Sequence, residues 1–427
     1  FHVHAYKELS NNGQFKVVPA PEIVKIPLTQ HIGSPATALV KVGDKVTVGQ
    51  LIGESAGNIS AKVHSSVSGT VQKVEEAATL RGRHILTVFI ENDGLDTLGY
   101  EVLDRDWKDV TKENIVHIVG EAGITGLGGA SFPTHVKVNP PKGKDIDSVI
   151  LNAAECEPYL TADDTLMRLH AKEVVEGLLI IMKAVSAKDG YITIEDNKPE
   201  AIEALKPHCE ANNVKLNVVK TKYPQGDEKR IIDVTVNRVV PAGHLPADVG
   251  VVVNNVSTAF AIYEAVRYGK PLYERLVTFT GHGAKTPSNA LIRFGTPIQH
   301  AIDYLGGMTE DAAQVIIGGP MMGFSVYSTE FPTEKSQNGI LVMTKEESKA
   351  SEPTPCIKCN KCVNVCPVRL VPFKLEQAVN YNRVDIMNEY HLMDCIECGS
   401  CSYVCPAKRP LVESIKIGKN QMRIGAK

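Results

Sequence analysis

The stretch "SVILNAA" (Ser148 to Ala154) is an apolar run of strand length. "AKEVVEGLLIIMKAV" (Ala171 to Val185) carries a helical period, and "GYITIED" (Gly190 to Asp196) returns to a strand. The alternation continues through "PEAIEALKPHCEANN" and "KLNVVKTK". Strands alternating with helices imply an α/β layer around a mostly parallel sheet. In such sheets ligands lie beyond the carboxyl ends of the strands, which directs attention to the loops after "IVHIVGEAG", "DSVILNAA" and "VGVVVNN".

Working outward, residues 26 to 94 are strand-like. "ALVKVGDKVTVGQLIGE" alternates apolar and polar positions around a turn at Gly43 and Asp44, and "SSVSGTVQKVEE" repeats the pattern, which predicts a small all-β sandwich. Residues 276 to 327 read as strand, strand, helix, strand, with Gly306 and Gly307 at the helix stop. The polar "TKEESKASEPTP" reads as a linker. The 427 residues, 43% hydrophobic and 22% charged, are those of a multidomain globular protein. With 46 Lys and Arg against 49 Asp and Glu, the net charge of -3 gives no basic footprint for nucleic acid. The longest apolar stretch, Val174 to Val185, contains Glu176 and Lys183 and is far short of the roughly 20 residues of a membrane span. No leader pattern opens the chain, Phe1 is no natural start, and a cytoplasmic address is expected.

Eight of the ten cysteines fall between Cys356 and Cys405. Cys356, Cys359, Cys362 and Cys366, followed by Pro367, repeat their spacing in Cys395, Cys398, Cys401 and Cys405, followed by Pro406. This is the run that ligates [4Fe-4S] clusters in bacterial ferredoxins, where the fourth cysteine serves the other cluster. The expected ligand sets are Cys356, Cys359, Cys362 and Cys405 for one cluster, and Cys395, Cys398, Cys401 and Cys366 for the other. Zinc on four thiolates is the competing assignment, and the duplicated spacing with its two prolines speaks against it. Cys156 and Cys209 stand outside the pattern and read as plain thiols.

"GITGLGGASFPTHVK" (Gly123 to Lys137) places Gly123, Gly126, Gly128 and Gly129 within seven residues, after the helix-like "KENIVHIVGEA". Such backbone can approach a phosphate or a ring closely. "LNAAECEPYLTADD" follows with Glu155, Glu157, Asp163 and Asp164, and later "VVVNNVSTA" with Asn254, Asn255, Ser257 and Thr258. Acids beside a phosphate loop suit sugar hydroxyls or a nicotinamide amide.

"GLGGASFPTHVK", "NAAECEP" and "VNNVSTA" are similar to signatures of the flavin-bearing, NADH-oxidising subunit of respiratory complex I. The order of modules, with "YKELSNN" and "PLTQHIG" near the start, resembles the RnfC family, a component of the Rnf complexes, which are ion-translocating ferredoxin:NAD+ oxidoreductases. The resemblance implies a multidomain α/β chain. A lipoyl-like barrel-sandwich module spans residues 1–98, a Rossmann-like FMN/NADH domain 99–275, a β-grasp soluble-ligand-binding module 276–345, and a helical ferredoxin-like domain with two [4Fe-4S] clusters 346–427. In the lipoyl-like module the hairpin that would present a carrier lysine reads Glu54-Ser55-Ala56-Gly57, with Lys62 off register, which implies a docking module. Gly126, Gly128, Gly129, Lys137, Asn152, Asn254, Asn255 and Thr258 would line a non-covalent FMN, and Phe132, Glu155 and Glu157 would face the nucleotide. "YPQGDEK" would bring Tyr223, Gly226, Asp227 and Glu228 near the flavin or the adenosine ribose. The chain departs from the complex I signatures at Leu127 (arginine there), Ser257 (an acid) and Ala162 (lysine).

The implied activity is exchange of hydride between NAD(H) and FMN, and of single electrons between FMN and the clusters, coupled to ion translocation by other subunits. Expected partners are those subunits, including a ferredoxin-like one and membrane-embedded ones, at the cytoplasmic face of the membrane. Two other readings stay open: an NADH-oxidising subunit of another assembly, and an electron relay that lacks flavin.

Overall fold

A computed structural model describes residues 1–141, 143–349 and 351–425. The central layer is a four-stranded parallel sheet ordered Lys215–Val219, Asp189–Glu195, Ser148–Ala153, Val251–Asn255. Strand order reverses between Ser148–Ala153 and its neighbour Val251–Asn255, so a crevice opens beyond their carboxyl ends. The helix Ala171–Val185 buries Val174, Val175, Leu178, Ile180 and Ile181 against the sheet, which explains its apolar length. No helix among the described residues is long and apolar enough to cross a membrane.

The helix-like "KENIVHIVGEA" does fold as the helix Lys112–Glu121, capped by Thr111, so the glycine loop follows a helix, although the sequence groups it with the loops at strand ends. Its apolar residues Ile115 and Val119 lie in the same core as the sheet. The loop lies at the carboxyl end of Val251–Asn255, with Gly128 against Asn255 and the Leu127 amide on Thr258.

Residues 23–92 form two small antiparallel sheets around Val24, Ile26, Ile52, Val71, Val88 and Ile90, with Gly43 at φ 89° in the turn. Lys62, near the hairpin, is tied to Glu54 and Glu121 at 3.2 and 2.9 Å. The third module is a six-stranded sheet containing Glu274–Thr280, Ser288–Arg293, Ala312–Ile317 and Gly339–Thr344, with the helix Ile298–Tyr304. One edge of this sheet is Phe15–Val17, parallel to Ser288–Arg293, so the first residues of the chain leave the small sandwich and join a module far along the sequence. In the polar linker, of which Ala350 lies outside the described residues, Glu347 accepts from the Thr344 amide and meets His282. Short helices then carry the cysteines.

Candidate functional site

The glycine loop closes on itself. The Gly126 amide donates to the Phe132 carbonyl at 2.8 Å and the Ser131 amide to the Gly126 carbonyl at 3.2 Å. Gly128 lies close to Asn255, and a Cβ there would sit a tight 3.2 Å from that of Asn255. Gly129, at φ 127°, turns in a region disfavoured for any side chain and faces open space. The Leu127 amide donates to Thr258 Oγ1 at 2.9 Å, which stitches the loop to the helix Val256–Tyr268.

Asn255 caps that helix by accepting from the Ser257 amide at 2.9 Å. Its Nδ2 donates to Asp163 at 2.7 Å, and Ser257 Oγ donates to the other Asp163 oxygen at 2.6 Å. Asp163, at the start of the neighbouring helix Ala162–Leu169, thus sets a carboxylate against Asn255 and Ser257. Asn254 is buried, and its Nδ2 has no protein partner.

"AECEP" makes a turn with Glu155 at φ 43°, a left-handed conformation that costs about 1–3 kcal/mol for a residue with a side chain. Two buried lysines hold it. Lys7 Nζ donates to the carbonyls of Glu155 (2.8 Å), Glu157 (3.1 Å) and Leu160, while Lys198 Nζ donates to the Ala154 carbonyl at 2.6 Å. The Glu155 carboxylate accepts from the amides of Asp163 (2.7 Å) and Asp164 (3.3 Å), capping their helix, and burial pushes its pKa up to about 8. Glu157 accepts from the Met321 amide (3.2 Å) and lies 3.4 Å from Tyr223 Oη, and burial raises it to about 7. Both carboxylates are thus engaged by the protein.

Asn152 donates to the Gly226 carbonyl at 2.8 Å, holding the "YPQGDEK" loop over the strand end. Asp227 caps the helix Glu228–Val236, burial raises its carboxyl, and Glu228 pairs with half-buried Lys137 at 2.5 Å. Tyr223 points out of this loop. Its buried hydroxyl donates to the Cys398 carbonyl at 2.8 Å, so the loop that borders the crevice also touches the cysteine domain. Phe132 is half-buried beyond the loop tip.

Cys356, Cys359, Cys362 and Cys405 line one cavity, with Cys356 and Cys359 exposed. Cys366, Cys395, Cys398 and Cys401 line another, with Cys398 and Cys401 buried. Each cavity is edged by one cysteine from the other repeat, so the two sites interlock. Four thiol donors around one cavity, twice, fit an iron-sulfur cube in each. The glycine loop and strand ends fit an acceptor-rich guest: Thr125, Ser131, Thr134 and Asn254 all carry buried polar atoms without a protein partner.

The residues left out of the sequence-based site are Lys7, Lys198 and, behind the loop, Arg275 and Lys335. Lone cations scattered over the chain carry no spacing signal; only burial marks them.

The sequence matches an RnfC barrel sandwich hybrid domain over residues 1–95, a Nuo51 FMN-binding domain over 119–264, an SLBB domain over 276–325 and a 4Fe-4S dicluster domain over 355–408. It is 49% identical, over 94% of this chain and 91% of the relative, to the C subunit of the Na(+)-translocating ferredoxin:NAD(+) oxidoreductase complex of Acetobacterium woodii. The chain belongs to the RnfC family. The C subunit of the proton-translocating ferredoxin:NAD(+) oxidoreductase complex of Clostridium ljungdahlii is 44% identical over 98% of this chain and 92% of its own. The C subunit of the ion-translocating oxidoreductase complex of Rhodobacter capsulatus is 41% identical over 99% and 82%. Among solved structures, an NAD+-reducing [NiFe]-hydrogenase in the H2-reduced state shares the fold at TM-score 0.54 and 15% identity, covering 75% of this chain and 62% of that one. This RnfC homologue therefore carries an FMN-binding domain and a 4Fe-4S dicluster domain, and belongs to a multi-subunit assembly.

Proposed function

We propose that this chain is the nucleotide-facing electron-transfer subunit of a ferredoxin:NAD+ oxidoreductase, passing electrons between NAD(H) and two [4Fe-4S] clusters. Flavin, when bound, supplies the conversion between two-electron hydride chemistry and one-electron transfer.

The residues divide that work. The loop Gly126–Gly129 and Lys137 hold the phosphate end, and Thr258 fixes the loop through the Leu127 amide. Asn254 offers its unpaired amide to the ring. Lys7, Lys198 and Glu155 keep the strand-end turn in place, and Phe132, Glu157, Asp227 and Glu228 stand around the nucleotide side. Cys395, Cys398, Cys401 and Cys366 hold the inner cluster, and Cys356, Cys359, Cys362 and Cys405 the outer one. No side chain has to move a proton for this chemistry. Other subunits translocate the ion, and this one docks on them, a ferredoxin-like subunit among them, at the cytoplasmic face of the membrane.

The observation that carries the reading is Tyr223: one side chain joins the crevice-lining loop to the carbonyl of Cys398 at 2.8 Å. The test is equilibrium FMN binding together with NADH-dependent reduction of a one-electron dye by the cluster-loaded chain. Gly128→Val, which drives a side chain against Asn255, is expected to abolish both while leaving the iron content intact. A wild-type chain that binds no FMN rules the reading out.

A further inference from the structure

Two cations lie buried behind the glycine loop, and both come from the β-grasp module. Arg275 is 5% exposed and Lys335 0%. Lys335 Nζ donates to the carbonyls of Gly123 (2.7 Å) and Lys62 (2.8 Å). Arg275 donates through Nη2 to the Leu127 carbonyl (2.9 Å), through Nη1 to the Lys335 carbonyl (2.5 Å) and through Nε to the Leu276 carbonyl (3.3 Å). Every partner is a neutral carbonyl.

Burying a cation costs several kcal/mol unless an anion answers it. The acid that acts on Arg275 is Asp163, which is already engaged by Asn255 and Ser257, and none acts on Lys335. Among the described residues neither cation has an ion-pair partner. Arg275 keeps its charge at neutral pH, whereas burial disfavours the Lys335 ammonium, which holds its proton there best with an anion close by, so an anion outside the protein is the natural counterpart of both.

The geometry indicates where it sits. In a trans peptide unit the N–H points opposite to the C=O. With the Leu127 carbonyl turned toward Arg275, the Gly128 N–H of the same unit faces the opposite side, where Gly128 and Gly129 are exposed. Among the described hydrogen bonds, the amides of Gly128, Gly129 and Ala130 have no protein acceptor. Successive free amides backed by cations make an anion seat. The chain also lacks the arginine that the flavin-domain signature carries at position 127, and Arg275 brings a guanidinium to the carbonyl of that same residue.

We propose that Arg275 and Lys335 are positioning residues that pin the two ends of the glycine loop from the β-grasp module and make the loop electropositive for the phosphate of its ligand. This rests on the flavin reading above and gives the β-grasp module a part in phosphate recognition.

The experiment compares FMN with riboflavin, which lacks only the phosphate. The full-length, cluster-loaded chain is stripped of flavin and titrated with each, following flavin fluorescence. Lys335→Met is expected to weaken FMN about tenfold or more while changing riboflavin less than about twofold, since only the phosphate feels the lost charge. Lys335→Arg is expected to restore most of the FMN preference. Lys335→Gln, which keeps a hydrogen-bond donor, serves if the methionine variant does not fold and is expected to behave as Lys335→Met. Equal losses for both ligands, or an unchanged FMN affinity, overturn the proposal. A wild-type chain that binds neither flavin overturns the underlying flavin reading instead.

Discussion

The cysteine domain and the glycine-loop site solve the same problem, holding a redox group, in opposite ways. The cysteine domain draws all eight thiols from one segment of the chain, Cys356 to Cys405, and its two cavities exchange only their last cysteine. The glycine-loop site draws on the whole molecule: Lys7 from the first residues, the loop at Gly123–Gly129, Asp163, Asn254, and Arg275 and Lys335 from the β-grasp module. The first is local and should fail alone. The second depends on modules being docked, so damage far away in sequence should reach it.

The largest expected effect isolates the cysteine domain. Cys398→Ser should remove the inner cluster, halve the iron per chain and strongly slow NADH-driven reduction of the outer cluster, because the redox group that borders the crevice through Tyr223 is lost. FMN affinity should not change. A matching loss of flavin would show that the two regions are not independent.

Lys7→Met tests the other side. Removing the ammonium leaves three buried carbonyls without their donor and takes the nearest countercharge from Glu155, and should cost about 3–5 kcal/mol. Thermal melting and flavin retention should both fall, with iron content kept. Iron loss of the same size would contradict a locally built cysteine domain.

Lys335 gives a pH signature. Burial lowers its pKa to about 7, against 10.5 for a free lysine. Between those values the unfolded chain binds more protons than the folded one, so stability from this group rises with pH across that window. At and below pH 7 the buried charge carries its full cost. Lys335→Met should therefore gain stability over wild type at low pH, by about 1–3 kcal/mol, and the gain should shrink toward pH 10. Melting curves of flavin-free protein across that range check it.

The smallest expected effect is at the seam. Tyr223→Phe removes the hydrogen bond to Cys398 and should cost about 1 kcal/mol, with iron and FMN content unchanged. A cluster absorption spectrum altered only in this variant would sharpen the contact between the two regions.

The cysteine spacing was readable because ligand geometry acts over a few residues, and thiols so repeated have few other uses. The alternating strands and helices were readable for the same reason. The glycine loop was readable as a loop after the helix-like "KENIVHIVGEA", whose Ile115 and Val119 fit one helical face, and only its grouping with the loops at strand ends fails. Glu155, expected from its place after a strand to face the nucleotide, also caps the helix at Asp163 and Asp164, a role that depends on a turn visible only in three dimensions. The contacts of Asp163 with Asn255 and Ser257, and the buried cations, join distant segments, which single-sequence patterns do not encode.

The most direct test of the central claim is an anaerobic titration of the cluster-loaded chain with NADH, run once with FMN bound and once without, following flavin and iron-sulfur absorbance. Bleaching of both with FMN bound, and of neither cluster without it, is the predicted result. Clusters reduced equally well by NADH in the flavin-free chain would contradict a path through the glycine-loop site.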